Sequence, residues 1–403
     1  MRQATAGCSR STRTSGGSQR SSATPGSLPR LRVLHTVEFY HPHPGGAERV
    51  VQRVSEGLVR LGHEVSVATS WDPARSGPML NGVEVVPFRV TGNLARGMRG
   101  EVSRYRQWVR DGRFDVIMTY AAQCWSTDAL LPLLPELSAA KVFATCGFSG
   151  LHGVRRFLYG GYFRALRTWI RGYHAVIYHA RTGADVAFGK KFGPARQVVI
   201  PNGADGAEFA RGEREFRARH GIAARHLLLH VGNHYKVKGH GDLLGLMGDL
   251  RDLDVALVII GSAPSAGRSC WTACAAAAQR DPRVRLLAGL PREEVVAAFR
   301  EADLVLLPSR FEAASLVLVE AMAAGVPFVA YDVGNARELP GGVVVRDRAA
   351  MQRAVRHLLA DEVERRVLGE VGRAYQRHHL EWDSIVADYE RLYVSLVTAR
   401  PGG

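Results

Sequence analysis

From Leu31 onward the chain alternates short β-branched apolar runs with stretches of helical period. LRVLHTV, EVSVATS, VEVVPF, DVIMTY, KVFATC, AVIYHA and QVVIP precede Gly203, and LLLHVG, VALVIIG, VRLLAG, LVLLPS and VPFVAYD follow it. Runs that are apolar at successive positions suit strands of a parallel sheet covered on both faces. Two such series predict two doubly wound α/β units that meet at the turn-forming Pro201-Asn202-Gly203. The chain closes on HHLEWDSIVADYERLYVSLV, where Trp382, Ile385, Val386, Tyr389, Leu392 and Tyr393 share one helical face. Periodicity alone does not say what that face covers.

Composition agrees with this division. The 403 residues, 46% hydrophobic and 23% charged, fit two globular domains. Residues 1–30 are the exception: five arginines, no acid and almost nothing apolar predict a disordered basic tail. No apolar run approaches the ~18–20 residues needed to span a bilayer, and the first thirty residues lack the apolar core of a secretory signal. A cytoplasmic protein is expected, attached at most to the inner face of the membrane. Cys8, Cys124, Cys146, Cys270 and Cys274 are scattered and odd in number, which is not a disulfide framework. Cys270 and Cys274, four apart on a predicted helix, lack a second ligand pair at zinc-site spacing and read as small helix-face residues. The net charge is +15, and 48 of the 53 basic residues are arginine. No nucleic-acid motif or aromatic–basic platform accompanies that charge, so nucleic acid is excluded in favour of phosphorylated ligands or acidic lipid.

Open α/β sheets bind ligands beyond the carboxyl ends of their strands, so the loops there hold the candidate chemistry. After the first strand, Gly45 and Gly46 open a helix, where bare N–H groups attract an anion; a tight turn would use them equally well. The second unit begins LLLHVGNHYKVKGHGDLL, with Lys238 placed to reach a diphosphate. Only five lysines occur in the chain, and two of them, Lys236 and Lys238, lie in this loop. The sharpest signal is PSRFEAASLVLVEAMAAGVPFVAYD. Here Glu312 and Glu320 flank small residues and a helix start at Leu316. Small residues at a helix N-terminus admit a phosphate. Glu320, inside an apolar helix, needs hydrogen-bond donors, and vicinal hydroxyls of a ribose are natural ones.

Together these segments resemble the retaining GT-B glycosyltransferases of family 4. The resemblance rests on PGGAERVVQRVSEGLVRLGHEVSVAT, VVIPNGADGAEF, FEAASLVLVEAMAAGVP and WDSIVADYERLY, in that order. It implies two facing Rossmann-like domains, residues 31–200 and 201–381. The terminal helix 382–398 would cross back to complete the first. It further implies a nucleotide-sugar donor, with Glu320 on the ribose, Glu312 on the transferred sugar, and Lys238 with the N–H groups of Ser315, Leu316 and Val317 on the diphosphate. Gly46, beside Gly45, would approach from the opposite wall. Two positions depart from the family pattern. Asn233 stands where a basic residue is usual, leaving Lys236 or Arg310 to supply the charge. Cys146 and Gly147 stand where a first-domain histidine is usual, and His152 lies several positions later.

The expected chemistry is a front-face displacement in which the protein stabilises charge on the departing diphosphate. No cofactor and no obligatory metal are expected. A glycan, lipid-linked or small-molecule acceptor would receive the sugar. A nucleotide-sugar epimerase or a non-catalytic GT-B binder is the alternative; a phosphorylase would need a late lysine, and none follows Lys238. Finally, VRRFLYGGYFRALRTWIRGY (Val154 to Tyr173) mixes arginines with large aromatics. That pattern fits a helix lying on a membrane surface, or one packed aromatics-inward with Gly160-Gly161 interrupting it.

Overall fold

The computed structural model describes residues 29–43, 45–151, 155–210, 212, 215–262 and 270–399. Nearly all of the expected tail lies outside the described residues, as does His152. Each predicted apolar run forms a strand, and the strands assemble into two sheets.

The first sheet runs Gln197–Val199, Ala175–Tyr178, Ala140–Ala144, Val116–Tyr120, Arg32–Thr36, Glu64–Ser70, Val83–Phe88 and Met79–Leu80. Every pair in it is parallel except the last. The second runs Val284–Ala288, Val255–Gly261, His226–Val231, Leu304–Leu307, Phe328–Tyr331 and Gly342–Val345, parallel throughout. In both sheets the first strand in the chain lies in the interior, with its next strand on one side and a later one on the other. The loops after Arg32–Thr36 and His226–Val231 therefore open at topological switch points, where such sheets hold ligands.

The chain passes between the sheets twice, side by side. Ala204 N–H donates to the Leu380 carbonyl at 2.9 Å, and Ala204 bridges Glu381. A Cβ on Gly203 would come within 3.0 Å of both the Leu380 carbonyl and the Trp382 ring, so a larger residue there would press the two crossings apart. The terminal helix Trp382–Thr398 then docks on the first domain against the helix Gly46–Arg60. Val50, Val51, Val54 and Leu58 join Ile385, Val386, Tyr389 and Tyr393 in one core. Gly57 faces Val386 so closely that a Cβ would lie 2.4 Å from its methyl. His35 and Tyr393 fix the far end through a ring-nitrogen-to-hydroxyl contact of 3.1 Å.

The segment offered as a membrane helix takes the inward form. Tyr159, Tyr162, Phe163, Leu166 and Ile170 are buried with Phe143 and Phe148. The helix Arg155–Trp169 continues unbroken through Gly160-Gly161, contrary to the expected interruption. Burying these aromatic and aliphatic side chains outweighs a cost of ~1 kcal/mol per helical glycine. Phe157 faces outward. Among the described residues no helix is long and apolar enough to cross a membrane.

Candidate active site

The wall formed by the second domain starts at Gly232. Asn233 turns back to accept from Ser262 N–H at 3.1 Å, tying the first loop of this sheet to the second. A single 3-10 turn, Lys236–Lys238, follows, and Gly239 at φ +75° begins the helix His240–Asp249. A Cβ at Gly239 would fall 2.1 Å from the Pro308 carbonyl, so this turn packs directly on the next loop. Arg310 N–H donates to Val237 C=O at 2.7 Å, which brings the two loops into register. As a result Lys238 Nζ meets Glu312 Oε1 at 2.7 Å, both side chains being largely shielded. The lysine and first glutamate singled out in the sequence thus form one charged pair.

Arg310 and Lys236 do not join it. The Arg310 guanidinium turns outward to Asp242 at 3.0 Å, which also accepts from the Tyr331 hydroxyl, and Lys236 is exposed.

Past Glu312 the backbone is held from both sides. Asn202, at the domain crossing, donates to Ala314 C=O at 3.0 Å. Ser315 N–H donates to the buried Asn335 carboxamide at 3.0 Å, while the Ser315 hydroxyl caps the helix Leu316–Ala324 by accepting from Leu318 N–H. Ser315 therefore serves as helix cap, and its own N–H is not available to a phosphate. Leu316 and Val317 remain as the first-turn donors at the helix mouth.

Glu320 is 6% exposed, and its charge is met within the protein. Its Oε1 lies 2.8 Å from Arg292 and 3.6 Å from Arg49. Both arginines also grip Glu208, at 2.8 and 2.9 Å, and Arg53 stands 3.9 Å from it. Burial of Glu320 is thus explained by guanidinium partners without a bound ribose. Arg49 comes from the first domain, so this network also bridges the cleft.

On the facing wall, Gly45 is extended, and a Cβ there would collide with the Glu48 carboxylate at 2.0 Å. Gly46 opposes the helix mouth: a Cβ would stand 3.4 Å from Leu316 Cδ1. The loop Thr145–Gly150 completes this wall. Asp185 accepts from the Thr145 hydroxyl at 2.6 Å and from Gly147 N–H at 3.1 Å. Cys146 and Gly147 both take positive φ, and a Cβ on Gly147 would lie 2.8 Å from that of Ala313. The loop consequently presses its backbone on the glutamate loop. Behind it, Arg96, Gln123, Cys146, Ser149, Tyr159 and Phe311 help line a cavity of about 300 Å³. Burial pushes the Cys146 thiol up to about 11, so a neutral, non-nucleophilic thiol occupies the place of the usual histidine.

Arg49, Glu208, Arg292, Asn202 and Asn335 were not foreseen as site residues. Arg49 lies one turn beyond Gly46 on the helix already marked as the anion-facing element, which was a usable signal; the others are joined only by tertiary contact.

Known proteins share this fold. Residues 44–208 match the model described as Glycosyltransferase Family 4, and residues 225–361 the one described as Glycosyl transferases group 1. A phosphatidyl-myo-inositol mannosyltransferase of Mycolicibacterium smegmatis is 29% identical over 384 residues, covering 90% of this chain and 93% of its own. Sucrose-phosphate synthase of Thermosynechococcus elongatus superposes with a TM-score of 0.79 at 20% identity, over 92% of this chain and all of the other. Anabaena HepE in complex with UDP-glucose does so with 0.72 at 18%, over 91% of this chain and 100% of its own. These two structures share the GT-B fold, and with both family models placed in order along one chain, the protein belongs to the group 1, family 4 glycosyltransferases.

Proposed function

We propose that this glycosyltransferase takes a sugar from a nucleoside-diphosphate-sugar and transfers it, with retention at the anomeric carbon, to a hydroxyl of a lipid-linked, glycan or small-molecule acceptor. The observation that carries this reading is the Lys238–Glu312 pair at the mouth of the helix Leu316–Ala324, facing Gly46 across the cleft. A lysine and two free helix-terminal N–H groups make a site for a diphosphate, and the paired carboxylate beside them suits a sugar hydroxyl. HepE, solved with UDP-glucose, supports the donor class.

In the proposed reaction the acceptor oxygen bonds to the anomeric carbon while that carbon's bond to the diphosphate oxygen breaks. The acceptor's proton passes to a phosphate oxygen of the leaving group. Lys238, Leu316 N–H and Val317 N–H take up the charge that accumulates there, so the step needs no divalent cation. Glu312 holds the transferred sugar. Glu320 receives the ribose by exchanging part of its contact with Arg49.

The phosphatidyl-myo-inositol named for the Mycolicibacterium relative favours a lipid-linked acceptor. A peripheral position at the inner membrane face follows, and the exposed Arg164, Arg167 and Arg171 are the charges that would meet anionic headgroups. The test is a thermal-shift panel of UDP, GDP and ADP sugars, followed by release of the nucleoside diphosphate with and without added Mg²⁺ or Mn²⁺. One donor is expected to stabilise the protein and to be consumed at a rate indifferent to the cation. A panel without any stabilising or consumed member would refute the proposal.

A further inference from the structure

The loop that carries Lys238 has a second chemical feature on its inner side. His234 and His240 bracket Lys238 in sequence, and both rings are buried, at 5% and 1% exposure. Their planes lie 24° apart with centroids 4.6 Å from one another. Cys270, at the start of the helix Trp271–Arg280, points its sulfur at both: Sγ is 3.3 Å from His240 Nδ1 and 3.7 Å from His234 Nδ1. The three ligand atoms all fall within 4.8 Å of one another.

We propose that His234, His240 and Cys270 form a site for a thiophilic divalent cation, zinc by preference, that pins the Lys238 loop to the neighbouring helix.

The spacing matches that use. Zinc bonds of about 2.3 Å to sulfur and about 2.0 Å to nitrogen, at a tetrahedral angle, place S and N about 3.5 Å apart. The two observed sulfur–nitrogen distances bracket that value. The two imidazole ligand atoms lie within 4.8 Å of one another, and a small rotation of His234 toward the ion would bring them to tetrahedral spacing.

Ring nitrogens at the cluster also lack partners. Nε2 of His234 and of His240 makes no well-formed hydrogen bond, and neither does Nε2 of His230, whose ring meets His240 edge-on at 4.8 Å. The carbonyls of Gly232 and Tyr235 lie beside the His240 ring and would orient it as outer acceptors. Two buried imidazoles and a thiol at ligand distance, with Nε2 of His234 unpaired, make a costly arrangement for a purely structural core. Binding would convert the Cys270 thiol to a thiolate and release its proton to solvent.

The site is separate from the reaction. Its ligands face the interior of the loop, whereas Lys238 turns to Glu312. Occupancy would act by holding Gly232–Gly239 in place through Cys270, whose N–H already donates to His234 C=O at 3.1 Å.

The experiment strips the full-length protein with a chelator, titrates it with Co²⁺, and follows the thiolate-to-cobalt charge-transfer band. One equivalent is expected to bind with a tetrahedral spectrum. Cys270→Ser should remove the band and weaken binding at least ~100-fold, since losing a ligand exceeds the 10–100-fold typical of an outer partner. Cys146→Ser should keep the band. In the unmutated protein, one equivalent of Zn²⁺ should also protect Cys270 from alkylation, read by mass spectrometry, so the outcome does not depend on how well a variant folds. Sub-stoichiometric uptake, an undiminished band in Cys270→Ser, or unprotected Cys270 would overturn the proposal.

Discussion

Replacing Lys238 with methionine keeps the apolar stem and removes one positive charge from the mouth of the helix Leu316–Ala324. The structure predicts two effects in the same direction. The departing diphosphate loses a preorganised cation, a loss worth ~2.7–4 kcal/mol, or ~10²–10³ in kcat. The partner left behind, Glu312, is then an unpaired and largely shielded carboxylate where the Lys238 ammonium had stood 2.7 Å away, so it repels the charge that is accumulating. Removing Glu312 as well relieves that repulsion. The double variant Lys238→Met/Glu312→Gln should therefore be less impaired than the sum of the single changes, with a coupling of ~0.5–3 kcal/mol. The assay is release of nucleoside diphosphate at saturating donor and acceptor, with circular dichroism confirming that each variant is folded. A kcat for Lys238→Met within about threefold of wild type would refute the reasoning, given the scale expected for one preorganised charge. So would greater damage from Lys236→Met, since that side chain is exposed to solvent.

Three further outcomes are expected. Glu320→Gln should weaken donor binding by ~1.5–3 kcal/mol through loss of a charged acceptor, read by titration calorimetry; unchanged affinity would remove the ribose from that residue. Gly147→Ala should destabilise the protein by ~1–3 kcal/mol in a urea titration, because φ is +80° there and the new Cβ would meet Ala313 at 2.8 Å; no change would mean the loop yields freely. Burial and the nearby Asp128 and Glu48 carboxylates raise Glu38 to about 7, and burial raises Asp128 to about 6. Their contribution is present at acid pH and lost as pH rises through those values, so Glu38→Gln should raise Tm at pH 8 and leave it nearly unchanged at pH 5; equal effects at both pH values would contradict this.

How much of this was legible beforehand differs by the range of the interaction. Strands such as Val255–Gly261 and Leu304–Leu307 are announced by unbroken apolar runs, because a strand covered on both faces has no polar side to show. The short strand Gly342–Val345 was not foreseen: it is brief and follows Gly341 directly. Nor was the hairpin of Val90–Asn93 with Gly97–Gly100, whose composition carries no alternation. Lys238 and Glu312 could be singled out one by one, since loop position and residue type mark each. That Glu320 is neutralised by Arg292 and Arg49 could not be, because all those arginines look alike in so arginine-rich a chain. The same limit hid the thiol–imidazole cluster. Cys270 was noticed for its neighbour Cys274, while its actual partners His234 and His240 lie 36 and 30 positions away.

The central claim, retaining transfer from a nucleotide sugar, is tested most directly by the stereochemistry of the product. The purified protein is given the α-linked donor identified in the panel and an acceptor, and the new glycosidic bond is read by the proton coupling at its anomeric carbon. The account predicts an α-linked product, formed with one nucleoside diphosphate released per bond, and slowed together with that release by ~10²–10³ in Lys238→Met. A β-linked product, or a new glycoside formed without release of the nucleoside diphosphate, would contradict it.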